Sequence, residues 1–251
     1  MVETFHSRRL FSSSKIACTI ISLLVLASCS PTRFLSEEEF LLSNVSLTSS
    51  DKHVKASDYR SYVRQEANSK WFNLLKVPLG IYCLSGKNPD KRFNKFIHRI
   101  GEAPVVYDSL LMSQSINSLS LALQNKGYLH ADVEATVVSK KKKKKVSYAM
   151  SPGRLSYVTA INYEFDDTEV ERIVMEEMDA TKLYKGMPLS VQILNEERNR
   201  IIQSLQNQGY YNINREFLSY KVDTLAGDYG VELTLSLVCP PGVIADKAYR
   251  A

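Results

Sequence analysis

Residues 119–128 read LSLALQNKGY, and residues 201–210 read IIQSLQNQGY. Both stretches end in Leu-Gln-Asn, one variable residue, Gly and Tyr, which indicates one structural unit present twice. Apolar residues recur every three or four positions before each glycine, as on one face of an α-helix. Because glycine adopts the left-handed conformation without steric cost, Gly127 and Gly209 are predicted to end the two helices. Two copies of a small unit favour a scaffold over a single active site.

Each repeated helix is followed by two predicted strands. After Gly127, apolar and polar residues alternate over residues 131–137 and again over 146–150, which is typical of half-buried strands. The corresponding strands of the second copy are predicted at residues 215–222 and 229–238.

An opening strand and a first helix precede these elements in each copy. They are predicted at residues 40–48 and 58–67 in the first copy and at residues 157–165 and 169–178 in the second. Ser57 is the predicted cap of one helix, and Thr168 with Glu171 forms a predicted capping box at the other. Each copy therefore predicts the order strand, helix, helix, strand, strand.

The first copy also contains an apolar segment that the second lacks. Residues 71–84 (WFNLLKVPLGIYCL) are apolar but interrupted by proline and glycine, and they are too short to cross a bilayer. A basic helix is predicted over residues 90–100, between the Asn88-Pro89 pair and Gly101. The apolar segment is interpreted either as a small core under this helix, the commoner arrangement, or as a patch that faces a partner.

Charge is concentrated in one place. The chain has 251 residues, of which 44% are hydrophobic and 24% charged, as in ordinary globular proteins. Its formal net charge is +5, and six consecutive lysines at residues 140–145 exceed that value. The rest of the chain is therefore close to neutral, which argues against a general nucleic-acid-binding surface.

The N-terminus has the pattern of a bacterial lipoprotein signal. Three basic residues precede the apolar stretch 16–27, and residues 26–29 (LASC) match a lipobox. The thiol of Cys29 is the predicted lipidation site, and more than one acyl chain gives stable anchoring. The alternative is an ordinary signal peptide with an incidental cysteine.

Two further cysteines belong to the predicted mature chain. Cys83 and Cys239 lie in different copies and show no local spacing pattern. An exported protein permits a disulfide between them. Partly buried thiols are the favoured prediction.

The sequence contains no recognisable catalytic, metal or cofactor motif. Histidines are scattered, at His6, His53, His98 and His130. The acidic pairs Asp166-Asp167 and Glu176-Glu177 are expected to be solvated charges at a helix start and on a helix face. We therefore predict a protein that is not an enzyme and that has no metal and no cofactor.

The order of elements, with Gly-Tyr at each helix-to-strand junction, resembles the polypeptide-transport-associated (POTRA) domain. The chain is similar to the BamA/TamA-like outer-membrane assembly family, and most of all to the lipidated TamA-like proteins of Bacteroidetes. The segments that carry this resemblance are Cys29, residues 40–42 (FLL), residues 79–82 (LGIY), residues 100–108 (IGEAPVVYD), the lysine-rich hairpin and Pro152-Gly153. It implies an α+β fold of two tandem POTRA domains, each with two helices on a three-stranded sheet.

The resemblance also implies a division of the chain. The predicted parts are a lipoprotein signal peptide (1–28), a lipidated tether (29–39), a first POTRA domain (40–153) with an insertion near 69–104, a second POTRA domain (154–242) and a tail or start of a third unit (243–251). Family members carry a C-terminal membrane barrel after such domains. The sequence stops at Ala251, and is therefore expected to be a fragment, a truncated product or a stand-alone lipoprotein.

The resemblance implies that an open sheet edge pairs with an extended client strand. The edges proposed for this are residues 129–138 and 215–222. The candidate pairing residues in the first are Leu129, Ala131, Val133, Ala135 and Val137. The alternative is that these edges are solvated or covered by a neighbouring unit.

The lysine run is a second candidate site. Its members, which are expected to form the tip of a hairpin, are Lys140, Lys141, Lys142, Lys143, Lys144 and Lys145. One interpretation is contact with anionic lipid headgroups, at about 1 kcal/mol per lysine. The favoured alternative is a merely solvated turn.

The predicted function is a periplasm-facing, outer-membrane lipoprotein scaffold in protein assembly or translocation. Its expected partners are unfolded outer-membrane proteins, a partner barrel or a periplasmic protein, and the membrane through Cys29, with no nucleic acid. Anchoring in the inner leaflet is preferred, because Ser30, Pro31 and Thr32, directly after Cys29, form no acidic cluster. The alternative is a structural lipoprotein that bridges envelope components without binding client strands.

Overall fold

The computed structural model describes residues 30–72, 75–86, 91–224 and 229–237. Several predicted features lie outside these residues: the signal segment, Cys29, Asn88-Pro89, the turn at 225–228, Cys239 and Pro241-Gly242. Two compact units are present. The first comprises the residues up to Thr48, Arg60–Ile116 and Glu134–Ala149, and the second comprises Ser49–Tyr59, Asn117–Val133 and the residues from Met150 onward. The predicted domain boundaries stay a prediction.

The first sheet has its last strand in the middle. Its strands are β1 (Leu41–Ser49), β2 (Asp132–Lys140) and β3 (Lys143–Ser151), in the order β1-β3-β2. The amide of Leu41 donates to the carbonyl of Lys142 at 2.9 Å, and the Thr48 hydroxyl donates to the carbonyl of Tyr148 at 3.2 Å. These contacts advance together along both strands, so β1 and β3 run parallel.

In the described part of the first copy the α-helices are α1 (Val77–Cys83), α2 (Arg92–Ile100) and α3 (Ser109–Gln124). The basic helix and the repeat helix are confirmed as α2 and α3. The helix predicted at residues 58–67 is wrong, because Ala56–Tyr62 forms a 3-10 helix instead. Ser57 donates to the Asp58 carboxylate at 2.9 Å rather than capping a backbone amide. Serine and aspartate side chains that bond locally in this way disfavour helix interiors.

Helices α1 and α2 form a small packed pair. Leu79 and Cys83 of α1 and Ile97 of α2 are buried, as the small-core interpretation of this segment expects. Gly101 ends α2 so close to α1 that an added Cβ would lie 2.6 Å from the backbone nitrogen of Tyr82. The other interpretation also has support, because Trp71 is 53% exposed.

The second sheet repeats the topology of the first. Its strands are β4 (Tyr157–Glu164), β5 (Leu218–Thr224) and β6 (Gly230–Leu237), in the order β4-β6-β5. Strand β4 pairs parallel with β6, and β5 pairs antiparallel with β6. Helices α4 (Thr168–Glu176) and α5 (Val191–Asn207) bury Val170, Ile201 and Leu205 in the core beside Leu235 of β6.

The predicted capping box at the start of α4 is wrong. Asp167 is the cap, and its carboxylate accepts hydrogen bonds from the amides of Glu169 at 2.8 Å and Val170 at 3.2 Å. Asp167 is therefore more than the solvated charge expected from the sequence. The fold class itself is confirmed: the chain is α+β, with two three-stranded sheets and helices arranged as expected for tandem POTRA domains.

The glycine stops of the repeat are confirmed. Gly127 and Gly209 have φ of +93° and +97°. The following tyrosine amides return to Leu123 at 3.1 Å and Leu205 at 3.0 Å, so both helices end in the same way. Their surroundings differ. A Cβ added at Gly127 would lie 2.4 Å from the carbonyl oxygen of Leu189, whereas one at Gly209 meets nothing within 4 Å.

We expect Gly127→Ala to destabilise the protein more than Gly209→Ala. Both substitutions force alanine into the left-handed region, at a cost of about 1 kcal/mol. Only Gly127→Ala also requires the backbone at Leu189 to move. Urea denaturation of the two variants measures the difference in the free energy of unfolding, and equal losses would contradict the close approach at Gly127.

A buried ion pair lies on α5. The Glu197 carboxylate is fully buried and accepts hydrogen bonds from Thr181 Oγ1 at 2.8 Å, the Lys182 amide at 2.9 Å, and Arg200 Nη2 at 2.7 Å. Burial by itself raises the pKa of a carboxyl, but these donors and the Arg200 charge outweigh it and hold the pKa of Glu197 below its usual value.

We expect Glu197→Ala to lower the free energy of unfolding at neutral pH by about 3 kcal/mol, because it leaves Arg200 without its main partner. Since the pKa of Glu197 is lower in the folded state, its contribution is present above about pH 4 and is lost as pH falls through the folded pKa. Denaturation at neutral and acidic pH measures both effects. Glu196→Ala, at the exposed neighbour, is the control, and a similar loss there would contradict this account.

Candidate functional site: an open strand edge and a lysine-lined cleft

Strand β2 lies at an edge of the first sheet, because β3 occupies the centre. Val133, Ala135 and Val137 lie in β2, where Val133 is buried and the other two are half-buried. Leu129 and Ala131 precede the strand, since β2 begins only at Asp132. The structure therefore brings three of the five predicted pairing residues together on one strand.

The hairpin turn indicates which backbone groups of β2 face outward. Strands β2 and β3 are joined by two residues, Lys141 and Lys142. Residues that flank a two-residue turn pair directly, so the backbone groups of Lys140 and every second residue before it point toward β3. The N–H and C=O groups of Val133, Ala135 and Val137 then point to the open side. Their side chains point inward, while those of the residues between them are exposed.

Strand β5 is the corresponding edge of the second sheet. It begins at Leu218, three residues after the predicted start of this edge. Leu218 is buried, whereas the four residues from Lys221 to Thr224 are exposed. The inward side of this edge consists of Leu218 and Tyr220, and Tyr220 packs against the core.

The six lysines do not form a single solvated loop. Only Lys141 and Lys142 form the turn, and Lys141 has a φ of +53°. Lys142 Nζ donates to the carbonyl of Ser36 at 2.6 Å. Lys144 Nζ lies 4.4 Å from the ring centre of Phe40 and 4.1 Å from that of Tyr107. These two lysines hold the segment before β1 against the sheet, a role that the sequence analysis missed.

A cleft of about 770 Å³ is open beside the hairpin. Its lining, which combines hydroxyl groups with lysines, consists of Ser30, Thr32, Ser43, Val138, Lys140, Lys141, Lys142, Lys143 and Lys145. Lys140, Lys141, Lys143 and Lys145 are exposed. The arrangement is suited to an anionic ligand, because several lysines line one opening.

Lys76 adds to this basic region. Its Nζ donates to the carbonyl of Ser43, a lining residue of the cleft, at 2.7 Å. Burial is the main cause that lowers the pKa of Lys76, and the charge of Lys70 lowers it further. Glu102 opposes this with a smaller effect, and Lys143 contributes the smallest lowering. A bound anion would reduce the repulsion among the ammonium groups of Lys70, Lys76 and Lys143.

The described ranges contain neither a metal-binding cluster nor a membrane-spanning helix. No group of three or more His, Cys, Asp and Glu side chains there is placed to hold a metal ion. No helix in the part of the chain that the structure describes is long and apolar enough to cross a membrane.

No protein-family model matches the chain. No curated protein matches it either. Solved structures with a similar fold include BamA from Haemophilus ducreyi lacking POTRA domains 1–3, at 17% identity and a TM-score of 0.36. That match covers 61% of this chain and 27% of the BamA chain, so this chain spans about a quarter of that relative.

Two further similar structures consist of POTRA domains alone. Haemophilus influenzae BamA POTRA3-5 is 12% identical with a TM-score of 0.36, and the match covers 82% of this chain and 100% of that one. POTRA1-2 of Omp85 from Anabaena is 11% identical with a TM-score of 0.36, over 83% and 99% of the two chains.

Proposed function

We propose that the chain is a non-enzymatic scaffold in outer-membrane protein assembly or translocation, and the N-terminal part of a TamA-like protein. It is lipid-anchored at Cys29 in the outer membrane and faces the periplasm. It binds extended segments of unfolded outer-membrane proteins or of a partner protein. The observation that carries this proposal is the position of β2 at an open sheet edge.

An edge strand offers unpaired backbone groups to a second strand. Backbone pairing does not depend on client sequence, which suits a scaffold with many clients, and side-chain contacts add a preference. On β2 the exposed Asp132 and Glu134 limit indiscriminate pairing, because charged residues protect edges from aggregation. The edge β5 is the second pairing surface.

The lysine-lined cleft contacts anionic headgroups near the anchor. Ser30, one residue after Cys29, lines this cleft together with the exposed lysines. Consecutive Cα atoms are about 3.8 Å apart, so acyl chains on Cys29 place the membrane surface beside the lysines. Each lysine at an anionic surface contributes about 1 kcal/mol.

We expect Ala135→Pro to abolish binding of labelled peptides that correspond to strands of outer-membrane barrels. Proline removes an N–H that faces the open edge, whereas the ladder between β2 and β3 is retained, so the variant stays folded. Fluorescence anisotropy and cross-linking measure the binding, and circular dichroism checks the fold.

Ala135→Val is the matched control, because it changes the side chain at the same position and retains the N–H. It should bind as the unmodified chain does. Unchanged binding by a folded Ala135→Pro variant would remove β2 from the mechanism. If the unmodified chain binds no such peptide, the envelope-bridging alternative replaces client binding.

We expect Cys29→Ser to lose both acylation and membrane association in a Gram-negative host. The thiol is the proposed attachment point, and several acyl chains are needed for stable anchoring. Metabolic labelling with a fatty acid and fractionation of the envelope measure the two effects. Acyl label that persists in Cys29→Ser would rule out this anchor.

A further inference from the structure

Helix α2 leaves an apolar stripe uncovered. Phe93, Phe96 and Ile100 are 63%, 59% and 49% exposed. Their spacing of three and four residues places them on one side of the helix. A different side of the helix is buried, because Asn94 and Ile97 pack against the α1 segment. The stripe is therefore additional apolar surface that the packing of α2 on α1 does not use.

Cations accompany this stripe on α2. Helix α2 reads RFNKFIHRI, with exposed Arg92, Lys95 and Arg99 and no acidic residue. At 100° per residue these three lie on the side of the helix next to the phenylalanines and away from the buried side. Basic residues beside exposed aromatic residues are typical of helices that lie in the interface of an anionic bilayer.

A second aromatic group lies near the end of the same helix. Trp71 and Leu75 pair through two backbone hydrogen bonds of 2.8 and 3.3 Å, and Phe72 beside them is 97% exposed with a φ of +53°. Ser69 donates from its amide to the carboxylate of Glu102 at 3.0 Å, two residues after α2 ends. Tryptophan and phenylalanine exposed in this way suit the headgroup region of a membrane.

The predicted anchor segment is held against the same pair of helices. Arg33 in the 3-10 helix Pro31–Phe34 donates to the carbonyls of Cys83 and Ser85, the latter at 2.6 Å. The ring of Phe34 lies 5.3 Å from that of Tyr82, which stacks on His98 of α2 at 4.5 Å. A row of three rings therefore connects α2 to a segment that begins two residues after Cys29.

We propose that α2 is a membrane-docking helix, which inserts Phe93, Phe96 and Ile100 into the interface of an anionic bilayer with Trp71 beside them. The proposal rests on the proposed lipid anchor at Cys29 in one respect, which is that the anchor keeps α2 near the membrane. Client pairing at β2 plays no part in it. Contact along α2 fixes the orientation of the first unit at the surface, which acyl chains alone leave free to rotate.

Trp71 is the single tryptophan of the chain and reports on this contact directly. The test uses the full chain with Cys29→Ser, so that its outcome does not depend on acylation. The probes are vesicles of phosphatidylcholine with or without phosphatidylglycerol, and the same vesicles with brominated acyl chains. We expect the Trp71 emission to shift to shorter wavelength and to be quenched by the brominated lipid, more strongly when phosphatidylglycerol is present.

The variant Phe93→Gln/Phe96→Gln should lose the shift and the quenching, with apparent vesicle affinity of this region reduced about tenfold per phenylalanine. The matched control is Leu110→Gln/Leu121→Gln, which removes two similarly exposed apolar residues from α3 and should behave as the parent chain. Circular dichroism and Trp71 emission without vesicles check that both variants are folded.

Two results would overturn the proposal. In the first, the parent chain sediments with the vesicles but the emission of Trp71 is not quenched. The N-terminal segment would then attach the chain to the membrane while α2 does not dock. The other is a folded Phe93→Gln/Phe96→Gln variant that is quenched as strongly as the control. The first result is measured on the parent chain alone, so the proposal can still be refuted if the double variant does not fold.

Discussion

The constraint on which the other features depend is the parallel pairing of the first and last strands in each sheet. In the first copy β1 pairs with β3, and in the second β4 pairs with β6. A parallel pair requires a crossover, which the helices between the strands supply while they cover one face of the sheet. One side of the last strand is then occupied by the first strand, so the remaining strand pairs with its other side and lies at an edge of the sheet. The open edges of β2 and β5 thus follow from how the sheet is closed.

The two copies use this arrangement differently. The second copy stabilises its α5 helix with a buried carboxylate at Glu197, whose charge is matched by Arg200. The guanidinium of Arg198, on the same helix, lies 5.3 Å from the ring centre of Tyr220. Polar residues on α5 therefore belong to the packing of this unit. The first copy instead contains the packed pair α1 and α2, and with it the exposed aromatic residues.

The first unit thus carries two surfaces of different chemistry besides its strand edge. The lysine-lined cleft offers charge, and α2 offers an apolar stripe with charge beside it. Both surfaces lie close to the segment that follows Cys29. Ser30 of that segment lines the cleft, and the rings of Phe34, Tyr82 and His98 connect the segment to α2. A protein anchored at that point would present both surfaces to the membrane, while β2 pairs through backbone groups alone.

The sequence by itself determined the local elements: the repeat, the left-handed stops at Gly127 and Gly209, and the alternation in β2. These depend on helical period, glycine conformation and strand pleat, which act over a few residues. Local reasoning failed at residues 58–67 and at the cap of α4, where competing polar side chains lie next to one another. Only the tertiary structure decided that Gly127 approaches Leu189, that Lys144 lies between two aromatic rings, and that α2 leaves its phenylalanines uncovered. Each of these depends on residues far apart in the chain, and no pattern of a single segment contains that information.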